Sequence, residues 1–119
     1  MVENNRQKGS RYEEQAAAYL AKNGIKVIER NYRCRLGEID IIARDGKYLC
    51  FVEVKYRKTL KNGYPSASVT PAKQRTIFKV ASVYLKQNGI SLNTPCRFDV
   101  VSVSGEDGIS YIKNAFGSM

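Results

Sequence analysis

Two apolar runs interleaved with charge, Ile39–Ala43 and Tyr48–Val54, stand on either side of Asp45-Gly46 and predict a β-hairpin. Asp45 and Gly46 suit the two φ > 0 positions of a tight type I′ turn. That turn sets Glu38 opposite Glu53 and Asp40 opposite Phe51, one diagonal step from Glu53. Side chains alternate along a strand, so Glu38, Asp40, Glu53 and Lys55 share one face. Ile39, Ile41, Val52 and Val54 fill the other. Three carboxylates and one ammonium then converge within roughly 5–8 Å, the spacing of direct and diagonal cross-strand neighbours.

The rest of the pattern surrounds this hairpin. Residues 1–9 are polar and read as a loose segment of a single 119-residue domain. Ser10 to Glu13 fits a capping box, and a helix runs from there to about Asn23, with Gly24 past its end. Glu13 shares the apolar stripe of Ala16, Ala17 and Leu20, so it either caps the helix or points toward the carboxylates. Ile25–Arg35 begins as a strand, and residues 58–70 form a basic loop with Gly63 and Pro65. Thr70-Pro71 is a helix start, followed by the amphipathic stripe Ile77, Val80, Ala81, Tyr84 and Leu85, with Gly89 at the end. Arg97–Val103 is a strand, Gly105–Gly108 a turn and Ile109–Ile112 a short edge strand. The order α-β-β-β-α-β-β predicts an α/β fold with a mixed sheet between helices.

Charge adds a partner class. The formal net charge of +9 calls for an anionic partner, nucleic acid or a membrane surface. No acidic residue occurs between Glu53 and Asp99, whereas Lys55, Arg57, Lys58, Lys61, Lys73, Arg75, Lys79, Lys86 and Arg97 all do. No predicted helix carries the basic amphipathic face that a membrane surface would require. The absence of histidine excludes Ser-His-Asp and Cys-His catalysis and His-ligated zinc. Cys34, Cys50 and Cys96 are too widely spaced for a zinc or disulfide framework and read as small apolar fillers. Reduced thiols, a polar N-terminus and no apolar run of membrane length place the protein in the cytoplasm.

Like charges opposed in a sheet need a counter-charge, and one lysine is too few. A hard divalent cation with oxygen ligands satisfies such a cluster and is suited to phosphodiester cleavage. Ordinary Glu–Lys pairing on a solvated strand explains the same spacing without function. Lys73, Gln74 and Arg75 occupy the first turn of the second helix, where free N–H groups favour anions; they form a phosphate site or are simply exposed. Arg33 and Arg35 lead into the hairpin and either reach a phosphate or are solvated charges. Tyr64 in the basic loop is available for base stacking. Asp99 is a partner for Arg97 or Arg35, or an outer carboxylate of the site.

The run G-E-I-D-I-I-A-R-D-G … F-V-E-V-K-x-R, with T-P-x-K-Q and R-F-D-V-V after it, resembles the YraN-like predicted endonucleases of the PD-(D/E)xK superfamily, which are similar to Holliday-junction resolvases. The likeness covers nearly the whole chain. It implies a restriction-endonuclease-like core of four to five strands flanked by helices. Asp40 then looks like the first metal-binding aspartate, Glu53 like a second ligand, and the Val54 carbonyl like a third. Lys55 resembles the lysine that positions the attacking water, and Glu13 the first-helix glutamate of the resolvases. Gln74 and Lys73 look like helix residues placed toward the scissile phosphate, while Glu38 tunes the site or binds a second ion. Ile39 stands where the motif's name would put proline, as is usual for resolvase-like relatives.

The implied activity is endonucleolytic hydrolysis, dependent on Mg²⁺ or Mn²⁺, of branched or single-stranded DNA in repair or recombination. Arg33, Arg35, Arg57, Lys58, Lys61, Lys73 and Arg75 would hold the backbone, and resolvase-like action would imply a homodimer. The competing expectation is a nucleic-acid-binding module that keeps the fold without cutting, as a subunit of a DNA-processing complex.

Overall fold

A computed structural model describes residues 5–57, 69–105 and 108–117, with side chains from residue 9 onward. Its elements are α1 (Asn5–Lys22), β1 (Lys26–Cys34), β2 (Gly37–Asp45), β3 (Tyr48–Arg57), α2 (Pro71–Gln87), β4 (Cys96–Ser104) and β5 (Gly108–Ile112). They form one five-stranded sheet in the order β1-β2-β3-β4-β5. β3 and β4 run parallel, and every other pair is antiparallel. The α/β architecture, the element order and the mixed sheet are those expected, with β5 at the edge. Thr70-Pro71 and Gly24 mark its joints as local chemistry predicts.

Thr70 is the N-cap of α2: its hydroxyl accepts the Lys73 N–H at 3.2 Å, and Pro71 follows at the first helical position. The inward stripe of Ile77, Val80, Ala81, Tyr84 and Leu85 packs on Ile42, Leu49, Phe51, Phe98 and Val100, which forms one core layer. Ala16 and Leu20 of α1 close the other layer over Ile41, Ala43, Cys50, Val52, Val101 and Val103. Burying each large apolar side chain stabilises the fold by about 1.5–3 kcal/mol. Gly37 seats β2 directly beneath α2: a Cβ there would meet Thr76 Cγ2 at 2.8 Å, and its φ of 152° already disfavours a side chain. All three cysteines are free; Cys50 is buried, and burial pushes its thiol up to about 12.

Three local expectations give way. The first helix starts at Asn5, so residues 5–9 are helical and Ser10 is no cap. Glu13 therefore lies well inside α1, and its position owes nothing to a capping box. The hairpin turn is Gly46-Lys47, because Asp45 pairs with Tyr48 as the last rung of the ladder. Asp45 is drawn into the ladder by its carboxylate, which sits 2.9 Å from Arg97 Nη2 and 3.4 Å from Lys113 Nζ. Gly46, at φ 59°, then takes the first turn position. The pairing slides by two residues, an even step that by itself leaves side chains on their faces. Last, Ile39 and Ile41 do not share a layer: Ile39 packs with α2, and Ile41 with α1. The change falls at Asp40, beside Asn31 of β1, which adopts a positive φ of 56° that asparagine tolerates.

Candidate active site

The β2–β3 ladder ends at Ile41↔Val52. One step further the two strands fork, and Asp40 fills the fork, its Oδ2 accepting the Val54 N–H at 2.8 Å. The N–H and C=O of one strand residue point to the same side, so the Val54 carbonyl also looks into the fork. Burial, and after it the charge of Glu53, pushes the Asp40 carboxyl up to about 7, against the hydrogen bond from Val54.

Glu53 is only 6% exposed, on the α2 face of β3. Its Oε1 lies 3.4 Å from Lys55 Nζ and 3.8 Å from Lys73 Nζ. Burial nevertheless holds its carboxyl above the ordinary range, although Lys73 and Lys55 pull it down. Two ammonium groups at that distance compensate burial only partly. From the far side, half-buried Glu13 brings a third carboxylate: its Oε1 is buried without a hydrogen-bond partner. Burial and then Asp40 raise its pKa, while Arg30 pulls the other way.

Glu38 does not join them. It forms an exposed ion pair with Arg33, its cross-strand partner on β1, at 3.0 Å. Among the described residues no group of three or more His, Cys, Asp and Glu stands ready to hold a metal ion, so the expected three-carboxylate convergence narrows to Asp40 and Glu53. That pair still suits a hard cation. All its donors are oxygens, both carboxyls are under-neutralised, and Mg²⁺ needs only one or two carboxylates, with water completing its shell.

Lys73 meets Glu53 from the first turn of α2. Gln74 is turned elsewhere: its Nε2 donates to the Val69 carbonyl at 2.9 Å and ties the helix entry to the chain before it. Arg35 and Arg75 are exposed, and Arg57 closes β3 half-buried. Lys58, Lys61 and Tyr64 lie outside the described residues. Asp99 belongs with Arg97 rather than Arg35 or the site: Arg97 Nε lies 3.0 Å from Asp99 Oδ1 on the α1 face.

One feature beside the site escapes a strand-by-strand reading. Tyr12 of α1, next to Glu13, stacks on Tyr56 of β3, next to Lys55, with ring centroids 4.1 Å apart and planes 6° from parallel. The two lie far apart in sequence, and only the docking of α1 across the end of β3 joins them.

Fold and site together define an α/β domain compatible with the restriction-endonuclease-like class, with a carboxylate pair, one buried and one half-buried, where its central hairpin forks. Within that class the chain belongs to UPF0102, the YraN family: the model described as "Uncharacterised protein family UPF0102" matches residues 12–103. It is 50% identical over 113 residues to a UPF0102 protein of Lachnoclostridium phytofermentans, covering 95% of each chain. A UPF0102 protein of Clostridioides difficile is 47% identical over 95% of this chain and 99% of its own. One from Nitrosococcus oceani is 44% identical over 93% of this chain and 92% of its own.

Proposed function

We propose that this protein is a metal-dependent endonuclease that hydrolyses phosphodiester bonds in branched or single-stranded DNA. The observation that carries the reading is the Asp40–Glu53 pair, a half-buried and a buried carboxyl, both raised by desolvation at a strand fork, with Lys55 and Lys73 converging on Glu53. A pure binder gains nothing from carboxylates beside phosphate.

Asp40 and Glu53 would hold Mg²⁺ or Mn²⁺, with the Val54 carbonyl facing the same fork and Glu13 behind it. When bound, such an ion lowers the pKa of water and neutralises charge gathering on the phosphoryl oxygens. Lys55 positions the attacking water through its ammonium and limits the charge left on Glu53. Lys73, at the N-terminus of α2, offers a cation to the scissile phosphate, with the positive end of the helix dipole behind it. Arg57, Arg75 and the basic residues of 58–68 hold the backbone. Such contacts are salt-sensitive and read no base sequence, so selectivity lies in the shape of the DNA. Cutting both strands of a two-fold junction would call for a homodimer.

A non-cleaving binding module is favoured by one observation, the commitment of the Gln74 amide to Val69. A labelled panel of four-way junction, flap, single-strand and duplex DNA with RNA separates the two readings, run in Mg²⁺, Mn²⁺ or EDTA beside Asp40→Ala and Glu53→Gln. Metal-dependent cutting lost in both variants supports the nuclease. Binding without cutting, unaltered by metal or substitution, replaces it with the module. No helix among the described residues is long and apolar enough to cross a membrane.

A further inference from the structure

Tyr56 lies three residues beyond Glu53, about 10 Å further along β3 at the rise of an extended strand. It is 44% exposed, although it is stacked on Tyr12. Tyr12 itself packs at the margin of the α1-side core, so the inner ring of the pair is anchored and the outer one reaches water. Arg11 sets its guanidinium 5.2 Å from the centre of the Tyr12 ring. Two parallel rings anchored by a helix, with one guanidinium beside them, give the flat π surface and the positive field that an unpaired base seeks. Lys55 and Tyr56 point to opposite faces of β3, so a DNA strand crossing the end of β3 meets the lysine with its phosphates and the rings with its bases.

We propose that the Tyr12–Tyr56 stack is a platform for an unpaired base, and that it makes forks and single strands the preferred DNA over intact duplex. The placement of the strand rests on the nuclease reading above. A base inside a duplex is already stacked and cannot reach the rings without being unpaired.

The chain contains no tryptophan, so Tyr56→Trp introduces a single reporter on the platform. In EDTA, where nothing is cut, single-stranded oligo-dT and a forked duplex should quench its emission, and blunt duplex should not. Tyr56→Ala should weaken binding of single strands about fivefold to a hundredfold, with duplex binding unmoved. Tyr56→Phe should keep the wild-type ratio, since the ring and not its hydroxyl carries the contact. Reporter emission that ignores saturating oligo-dT, or a wild-type single-strand-to-duplex ratio in Tyr56→Ala, overturns the platform, as does a failure of oligo-dT to bind. Adding Mg²⁺ to the wild type then separates the two claims. Quenching without cutting keeps the platform and sinks the nuclease, whereas cutting without quenching does the reverse.

Discussion

Glu53 and Asp99 sit one step apart across the β3–β4 pairing, since Val52 stands opposite Asp99 and Val100 opposite Glu53. They face opposite layers, and their surroundings differ as much. Asp99, fully buried, receives Arg97 Nε at 3.0 Å, the Tyr111 hydroxyl at 2.6 Å and the Asn114 N–H at 2.8 Å. The same guanidinium reaches Asp45 at 2.9 Å, and hydrogen bonding to it holds the Asp45 carboxyl below its ordinary range. Among the described residues Glu53 meets two ammonium groups, at 3.4 and 3.8 Å, and with Asp40 and Glu13 it is pushed upward. One carboxylate locks β4 to the hairpin turn and the C-terminal turn. The other is left short of positive charge at a strand fork, where a cation or a phosphate-bearing ligand can supply what the chain does not.

The largest expected effect separates the two directly. Asp40→Asn and Glu53→Gln should lower metal-dependent cleavage by about a hundred- to a thousandfold or more, the scale of losing transition-state electrostatics. Both variants should fold at least as well as wild type in EDTA at pH 8, because each removes a charge that burial disfavours. Arg97→Met should do the opposite. It leaves Asp99 buried without its partner and costs about 3–5 kcal/mol in urea unfolding, while cleavage per folded molecule holds. If Glu53→Gln destabilised the fold as much as Arg97→Met, the two regions would not differ in kind.

The pH dependence of stability should carry opposite signs in the two regions. Asp40, at about 7 when folded against about 4 unfolded, holds more protons in the native state through that window. Metal-free stability should therefore fall as pH rises from about 4 to about 7, by on the order of 1–3 kcal/mol. Asp45 is depressed, so its stabilisation is present above the unfolded pKa and is lost as pH falls through the lower folded value. Urea titrations in EDTA between pH 3 and 8 should show both limbs. Asp40→Asn should flatten the neutral one alone, and saturating Mg²⁺ should offset it in wild type only. A wild-type curve level between pH 4.5 and 8 would mean that the fork does not hold its proton.

Most of this fold is legible locally. The Thr70-Pro71 cap, the stripe of α2 and the alternation of β3 each follow from a few adjacent residues, and Glu53 and Lys55 fall on one face whichever turn is chosen. What could not be read depends on distant partners. Asp45 looks like a turn residue until Arg97, 52 positions away, draws it into the ladder. Glu38 looks like a site carboxylate until Arg33 takes it, and the layer change at Asp40 depends on the backbone of Asn31. Gly9-Ser10 resembles a helix start because both residues favour ends, yet the helix continues through them to Asn5.

Lys73 gives the smallest effect and the finest division of the two regions. Its ammonium stands 3.8 Å from Glu53 with 38% of the side chain exposed, a weak attachment beside the guanidinium of Arg97, which is 11% exposed. Such a pair contributes well under about 1 kcal/mol to folding, so Lys73→Gln should shift the urea midpoint little. If Lys73 is instead held ready for phosphate, its loss should appear in binding. The slope of log affinity against log salt for single-stranded DNA in EDTA should shrink by about 0.7, one phosphate contact on a single strand. An unchanged slope with a stability loss above about 1 kcal/mol would make Lys73 an internal counter-ion of Glu53, and the fork would then resemble the Arg97 lock more closely than its raised carboxyls suggest.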